Sequence, residues 1–343
     1  PTEQEIVDAL KAAVEADVEP FEDNVVKEPL IGEDVELKGS PVKKEKVNEA
    51  LGTTEWTLKN GIKVVFKQTP YEADRVSLMA ESFGGDAIFD NDTYYSASLL
   101  PSVMSMSGIS KFSASDLNKQ LSGKVASAGT YVQSYSHGVS GSSSVKDVEA
   151  MLQLVYLQFT APRFNEDDFA TLMNRYNTML ANQMSNPDFL FQQKLVSTLY
   201  GGNYRRQQLT PELLETVKLE QMPEVHKRLY SNAVDFSFRI IGNIDAATLK
   251  PLVEKYIGSL PAAKKPTNKF TDDGVRIAEG EIDEQITVKM EQPKVSVGYF
   301  YTGEDEYTLK NIITLNFLKQ ALNNRYLKSI REEKGGTYGV SVA

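Results

Sequence analysis

The feature that most constrains this chain is an internal echo. A strand-like run, "VSLMAESFGG" from Val76, is followed by a helix-like run, "DTYYSASLLPSVMSM" from Asp92. The same order returns as "VSVGYFYTG" from Val295 and "DEYTLKNIITLNFL" from Asp305. Strand, glycine, acidic helix start, tyrosine and apolar helix recur in sequence, which a duplicated supersecondary unit explains most economically. The first copy has about 200 residues to itself and the second about 70, so the second copy is expected only in its first half. With 41% hydrophobic and 24% charged residues over 343 positions, the chain can bury a core, and wholesale disorder is excluded.

The first copy reads clearly. "EWTLKNGIKVVFKQT" from Glu55 is two alternating runs joined by Asn60-Gly61, a dipeptide suited to a two-residue hairpin turn. "RVSLMAESFGG" is a third strand, and "KVASAGTYVQSYSHGVSGSSS" reads as two neighbouring strands. Helices are expected after the capping residues Asn91/Asp92, after Ser113 or Ser115, and after Ser144 with Asp147 at capping-box spacing. In "NEDDFATLMNRYNTMLANQM", Phe169, Leu172, Tyr176, Met179 and Leu180 fall on one helical face. Further helical patterns cover "DFLFQQKLVSTLYG" and "PELLETVKLEQMPEVHKRLY", and "DFSFRIIGNID" reads as a buried strand before a last helix closing at Gly258. The fold class is α+β, with mainly antiparallel sheets covered by helices on one face. Residues 54–261 form the first domain, and 262–343 are a connector plus the incomplete second domain.

Residues 1–53 hold 14 acidic residues against 6 lysines, most of the net charge of −10. They read as a short helix carrying Ile6, Leu10, Ala13 and Val14, then an acidic linker in which "PVKKEK" is solvated chain. No basic stripe suits nucleic acid. No run approaches the roughly 18 apolar residues of a membrane span. Cysteine is absent, which removes disulfides and thiolate ligands.

Candidates for chemistry are few. His137 and His226 are the two histidines, neither with a second at i+4, and read as a strand-end and a surface or capping residue. Near the C-terminus, Arg331 at the end of a helix from Asp305 to about Lys328 and Tyr338 beyond Gly335-Gly336 are two hydrogen-bond donors seven positions apart. They suit either a packing role or recognition of a peptide carbonyl or oxyanion.

The run "NNRYLKSIREEKGGTYGVSV", the duplication, and "EWTLKNGIKVVFK…VSLMAESFGG" resemble the pitrilysin-like (M16) zinc metallopeptidases with the inverted H-x-x-E-H motif. More narrowly, residues 54–343 resemble the C-terminal, non-zinc-binding half of a long bacterial member, and 1–53 the segment joining the halves. The resemblance implies that zinc belongs to the parent protein's N-terminal half, which would be this chain's partner, and that this fragment carries no catalytic residue and no metal ligand. Leu99, Ser102 and Val103 stand where H, E and H would be, and residues 169–187 contain no acid for the distal ligand. Arg331 and Tyr338 match the family's substrate-contacting pair. The implied function is to enclose and position a peptide substrate, inactive alone, in the periplasm or cell envelope; the alternative is a non-proteolytic scaffold of the same fold.

Overall fold

The computed structural model describes residues 2–16, 28–290 and 292–343. The acidic stretch 17–27 of the expected linker lies outside the described residues. The chain divides into two compact units, Pro1–Val288 and Lys289–Ala343.

In the first unit, α1 (Glu3–Glu15) opens on a capping box between Thr2 and Glu5, and all its side chains are exposed. "PVKKEK" is a correction to the linker reading, because Val42–Asn48 is strand β1, paired antiparallel to β2 (Thr53–Leu58). Its alternation is hidden by lysines, since every residue after Val42 is exposed. β2 and β3 (Lys63–Gln68) form the expected hairpin, but the loop is longer than two residues. The Leu58 carbonyl accepts from Gly61 N–H, and Leu58 N–H donates to Ile62 O, closing three residues between them. Only Gly61, at φ +96°, takes the positive angle that bulged loops of this type need, and Asn60 instead donates to Gly258 O.

The chain continues through β4 (Val76–Phe83), α2 (Asn91–Ser107), α3 (Ala114–Gln120), β5 (Ala126–Val132), β6 (Ser136–Ser143) and α4 (Val148–Thr160). Then come α5 (Glu166–Gln183), α6 (Pro187–Leu199), α7 (Pro211–Leu214), α8 (Met222–Tyr230), β7 (Ser237–Gly242) and α9 (Ala246–Tyr256). Among the described residues seven strands form one sheet in the order β1-β2-β3-β7-β4-β6-β5, antiparallel except for β3 against β7. β4 alternates strictly, placing Val76, Leu78, Ala80 and Ser82 inward. The inward face meets Trp56 and Phe66, stacked at 5.3 Å, with Leu100, Val103, Met151, Val155, Phe238 and Ile240. Each such side chain contributes roughly 1.5–3 kcal/mol by leaving water.

Three helical expectations shift. Asp90, one residue before the expected caps, accepts from Thr93 N–H to start α2. Ser144 does not cap α4; its hydroxyl donates to Asp147, whose carboxylate also accepts from Val125 N–H and so ties the helix start to the entry of β5. On α5, Met173 packs on the core and Met179 faces out, because the stripe follows 169, 172, 173, 176 and 180.

The connector is bound to the first unit. Asp235 accepts from Thr267 and Asn268 N–H, Asn268 donates to Ser82, and Asp273 pairs with Arg206. In the second unit α10 (Leu309–Tyr326) starts at Thr308, whose hydroxyl accepts from Asn311 N–H, and not at Asp305. Asp305 instead accepts from Asn311 Nδ2. The run from Val295 to Gly303, expected as a strand, forms none, since no described segment supplies the backbone partner a ladder requires.

Candidate functional site

α2 and α5 cross where the resemblance would place a metal. Leu99, Ser102 and Val103 share one face of α2 by their i, i+3, i+4 spacing. Val103 is fully buried and Leu99 packs against the core. The Ser102 hydroxyl accepts from Tyr176 OH on α5 at 3.2 Å. Aliphatic side chains offer zinc no lone pair, and the one hydroxyl is engaged, so these residues do not fit the ion. Among the described residues no group of three or more His, Cys, Asp or Glu side chains could hold a metal.

Both histidines are buried, and His226 is therefore not the surface residue its sequence context suggests. His226 Nε2 donates to Gln158 O at 2.8 Å, which satisfies the ring inside the core and stacks it on Tyr230. His137 Nδ1 accepts from Gly85 N–H at 3.2 Å while Nε2 donates to Leu229 O at 2.8 Å, fixing one neutral tautomer. Desolvation lowers His137 to about 4, against the Leu229 hydrogen bond, which favours the charged form. Burial lowers His226 as well. Both imidazoles act as hydrogen-bonded links in the core.

The first unit also holds a buried ionic cluster that the sequence did not single out. Gly84-Gly85 turns the chain out of β4 so that Asp86 N–H and Ala87 N–H donate to Gln133 O and Ser134 O. Asp86 Oδ2 accepts from Ser98, Arg205 donates to the Asp86 and Phe89 carbonyls, and Arg206 Nη2 reaches Asp273 at 2.9 Å. Burial raises the Asp86 carboxyl, partly offset by Ser98 and the two arginines. Asp273, only 1% exposed, also accepts from Tyr135 OH and Val275 N–H. Arg205-Arg206 was the available signal, but its partners lie 67 to 119 residues away.

In the second unit, Arg331 lies in a π-helical turn, Leu327–Glu332, that continues α10. Its carbonyl accepts from Gly335 N–H, and Gly336 N–H donates to Ile330 O, with Gly335 at φ +58°. Asn323 exchanges two hydrogen bonds with the Val342 backbone, folding the end of the chain back along α10. Residues 337–343 form no strand. Tyr338 is 100% exposed and Arg331 is exposed, so the two donors stand free of packing, and no described contact joins them.

With this geometry in view, the family model described as "Peptidase M16 inactive domain" matches residues 216–343. Over that stretch the chain is similar to the M16 peptidases. It is 25% identical over 297 residues to the probable zinc protease PqqL of Escherichia coli K12, covering 84% of this chain and 31% of that protein. A PQQL-like zinc protease of Arabidopsis thaliana is 23% identical over 301 residues, covering 85% and 29%. The chain thus spans about a third of the length of these relatives. The crystal structure of the periplasmic protease PqqL from Escherichia coli superposes with a TM-score of 0.74 at 21% identity, covering 99% of this chain and 37% of that one. A peptidase M16 inactive domain from Pseudomonas fluorescens gives 0.52 at 18% identity, covering 64% and 53%. These superpositions establish the α+β fold of the M16 neighbours. The M16 match covers both Arg331 and Tyr338, and the Ser102–Tyr176 hydrogen bond occupies the helix crossing where M16 resemblance would have put metal ligands.

Proposed function

We propose that this chain is the non-catalytic half of a zinc endopeptidase, with 54–261 as a first domain and 262–343 as a connector followed by part of a second. It encloses and positions peptide for a zinc site carried by an N-terminal half. The observation that most directly supports this is the α2–α5 crossing, which keeps the helix pair but carries Leu99, Ser102 and Val103, a donor set unable to hold zinc. Proteins named zinc proteases are among its relatives, and one is described as periplasmic, which favours the same compartment here. No described helix is long and apolar enough to cross a membrane.

Zinc, bound by the partner half, would activate the water that attacks the peptide bond. The roles assigned to this chain are those of its own side chains. Arg331 and Tyr338 donate hydrogen bonds to the substrate backbone or to the oxygen that gains charge during attack, and both are unencumbered for that purpose. Loss of one such donor lowers turnover by about a hundredfold to a thousandfold. Hydrolysis of a quenched-fluorescence peptide by the full-length parent, compared for wild type, Arg331→Ala and Tyr338→Phe, tests the assignment. Large drops in kcat with substrate still bound support it, and unchanged rates in both variants overturn it. An intact full-length parent that binds peptides without cleaving them would favour the scaffold.

A further inference from the structure

Arg331 and Tyr338 are both exposed, so packing does not set their mutual register. Hydrogen bonds at the two ends of the segment from Gly335 to Val342 do so instead. At the near end, Gly335 N–H donates to Arg331 O and Gly336 N–H to Ile330 O, each at 3.1 Å. At the far end, Asn323 Oδ1 accepts from Val342 N–H at 2.8 Å, and Asn323 Nδ2 donates to Val342 O at 3.1 Å. A backbone N–H can only donate, so this pairing admits one orientation of the asparagine amide. Between the two ends, the Thr337 hydroxyl accepts from Gly339 N–H at 3.2 Å and donates to Gly339 O at 3.0 Å, which closes a small turn around Tyr338.

These ties differ in kind. Those at the near end run between backbone groups, whereas among the described residues Asn323 is the side chain that binds the segment to α10. Gly336 and Gly339 flank Tyr338 with backbone that has many alternatives, so a segment pinned at one end alone would leave the phenol without a fixed place. The first unit shows a similar arrangement built by other means. Gly129-Thr130-Tyr131 repeats the triplet Gly336-Thr337-Tyr338, and β5, which carries it, lies along α2 with the Thr130 hydroxyl 3.7 Å from Met104 Sδ. A segment held along an earlier helix of its own unit is therefore common to both copies, and in the second the hold is the Asn323 amide.

We infer that Asn323 is a positioning residue, which sets the place of Tyr338 relative to Arg331 by clamping the segment at Val342. It touches no substrate. Its contribution is preorganisation, because a phenol and a guanidinium already in place leave less of the binding free energy to be spent on ordering the loop. A reacting group displaced by about 1 Å can lose about a hundredfold in rate, which is the scale on which such a clamp acts. The inference rests on the proposed role of Arg331 and Tyr338 and adds the residue that holds the two in register.

Two measurements test it. Hydrogen–deuterium exchange of the whole chain, read at the Val342 amide, should speed about tenfold or more in Asn323→Ala. Peptide hydrolysis by the full-length parent then compares Asn323→Ala, Asn323→Asp, Tyr338→Phe and the double variant Asn323→Ala with Tyr338→Phe. Asn323→Ala should lower kcat about tenfold or more while KM stays within about twofold of wild type. Asn323→Asp keeps an acceptor for Val342 N–H and should lose less. The double variant should be little slower than Tyr338→Phe, because a residue that acts through Tyr338 then has no donor left to place. Wild-type kcat in a folded Asn323→Ala parent, unchanged exchange at Val342, or losses that multiply in full in the double variant overturns the inference. Where Arg331→Ala and Tyr338→Phe slow hydrolysis and Asn323→Ala does not, the clamp alone falls and the proposed function stands; where none of the three slows it, both fall.

Discussion

Stability should fall steeply as the pH drops from 6.5 toward 5, before the carboxylates titrate. His137 is neutral in the folded core, held between Gly85 N–H and Leu229 O, and its folded value is lowered to about 4 from 6.5. A group lowered on folding takes up its proton in the unfolded chain first, so unfolding is favoured progressively as pH falls through the interval between the two values. Each pH unit inside that interval costs about 1.4 kcal/mol, and the full interval about 3 kcal/mol, a sizeable share of the roughly 5–15 kcal/mol of a typical domain. His226 is lowered by burial too and adds to the loss on acidification in the same direction. Asp86 acts with the opposite sign, because its raised carboxyl is protonated more readily in the folded state and offsets part of the loss on acidification. The assay is urea unfolding by circular dichroism at pH 7.5, 6.5, 5.5 and 5.0, on wild type and His137→Gln. Glutamine keeps a donor for Leu229 O but does not titrate. The variant should be less stable at pH 7.5, with a slope shallower by up to about 1.4 kcal/mol per pH unit. Parallel profiles, or a wild-type stability flat over this range, would refute the reasoning.

Three further outcomes follow from the geometry. Gly85→Ala should destabilise by about 2 kcal/mol or more, since Gly85 sits at φ +61° and an added Cβ would lie 2.0 Å from Gln133 O; thermal unfolding checks it. Arg206→Ala leaves Asp273 buried without its cation and should cost somewhat less than the roughly 3–5 kcal/mol of a fully buried pair, because Arg206 is partly exposed. The same variant should speed tryptic cleavage after Lys269, and an unchanged cleavage rate would argue against Asp273 pinning the connector. Zinc titrated into the chain by calorimetry should show no stoichiometric site, and Leu99→His with Val103→His should not create a tight one while α5 still lacks an acid.

Local pattern made much of the first unit legible. Alternation located β2 through β6, and the capping residue Ser113 marked the start of α3. Misreadings arose where a neighbour distant in sequence decides the outcome. β1 looks like linker because its single pairing partner lies across a turn and its lysines stay in water. His226 looks like a surface residue because nothing nearby in sequence announces the Gln158 carbonyl 68 positions away that accepts its proton. Met173 displaced Met179 because a turn of 3.6 residues lets either position approach the same stripe, and packing chooses. The run from Val295 has strand composition, but composition without a partner makes no ladder. For Arg331 and Tyr338 the sequence supplied spacing and resemblance, while the structure adds their exposure and the Gly335 turn between them.

The position of β7 carries a consequence for how the polypeptide is made. β3 and β4 are consecutive in the chain, yet β7 lies between them in the sheet. A ribosome must therefore add about 160 residues after β4 before the central strand exists, which takes about 8–30 s at ordinary elongation rates. Throughout that interval the facing edges of β3 and β4 have no mate within the nascent chain. Two separate three-stranded sheets, β1–β2–β3 and β4–β6–β5, are the most it can assemble beforehand, and β7 then welds them by pairing parallel on one side and antiparallel on the other. Delivery of this protein in soluble form thus depends on how well a cell shields two open strands while the seventh is still being translated.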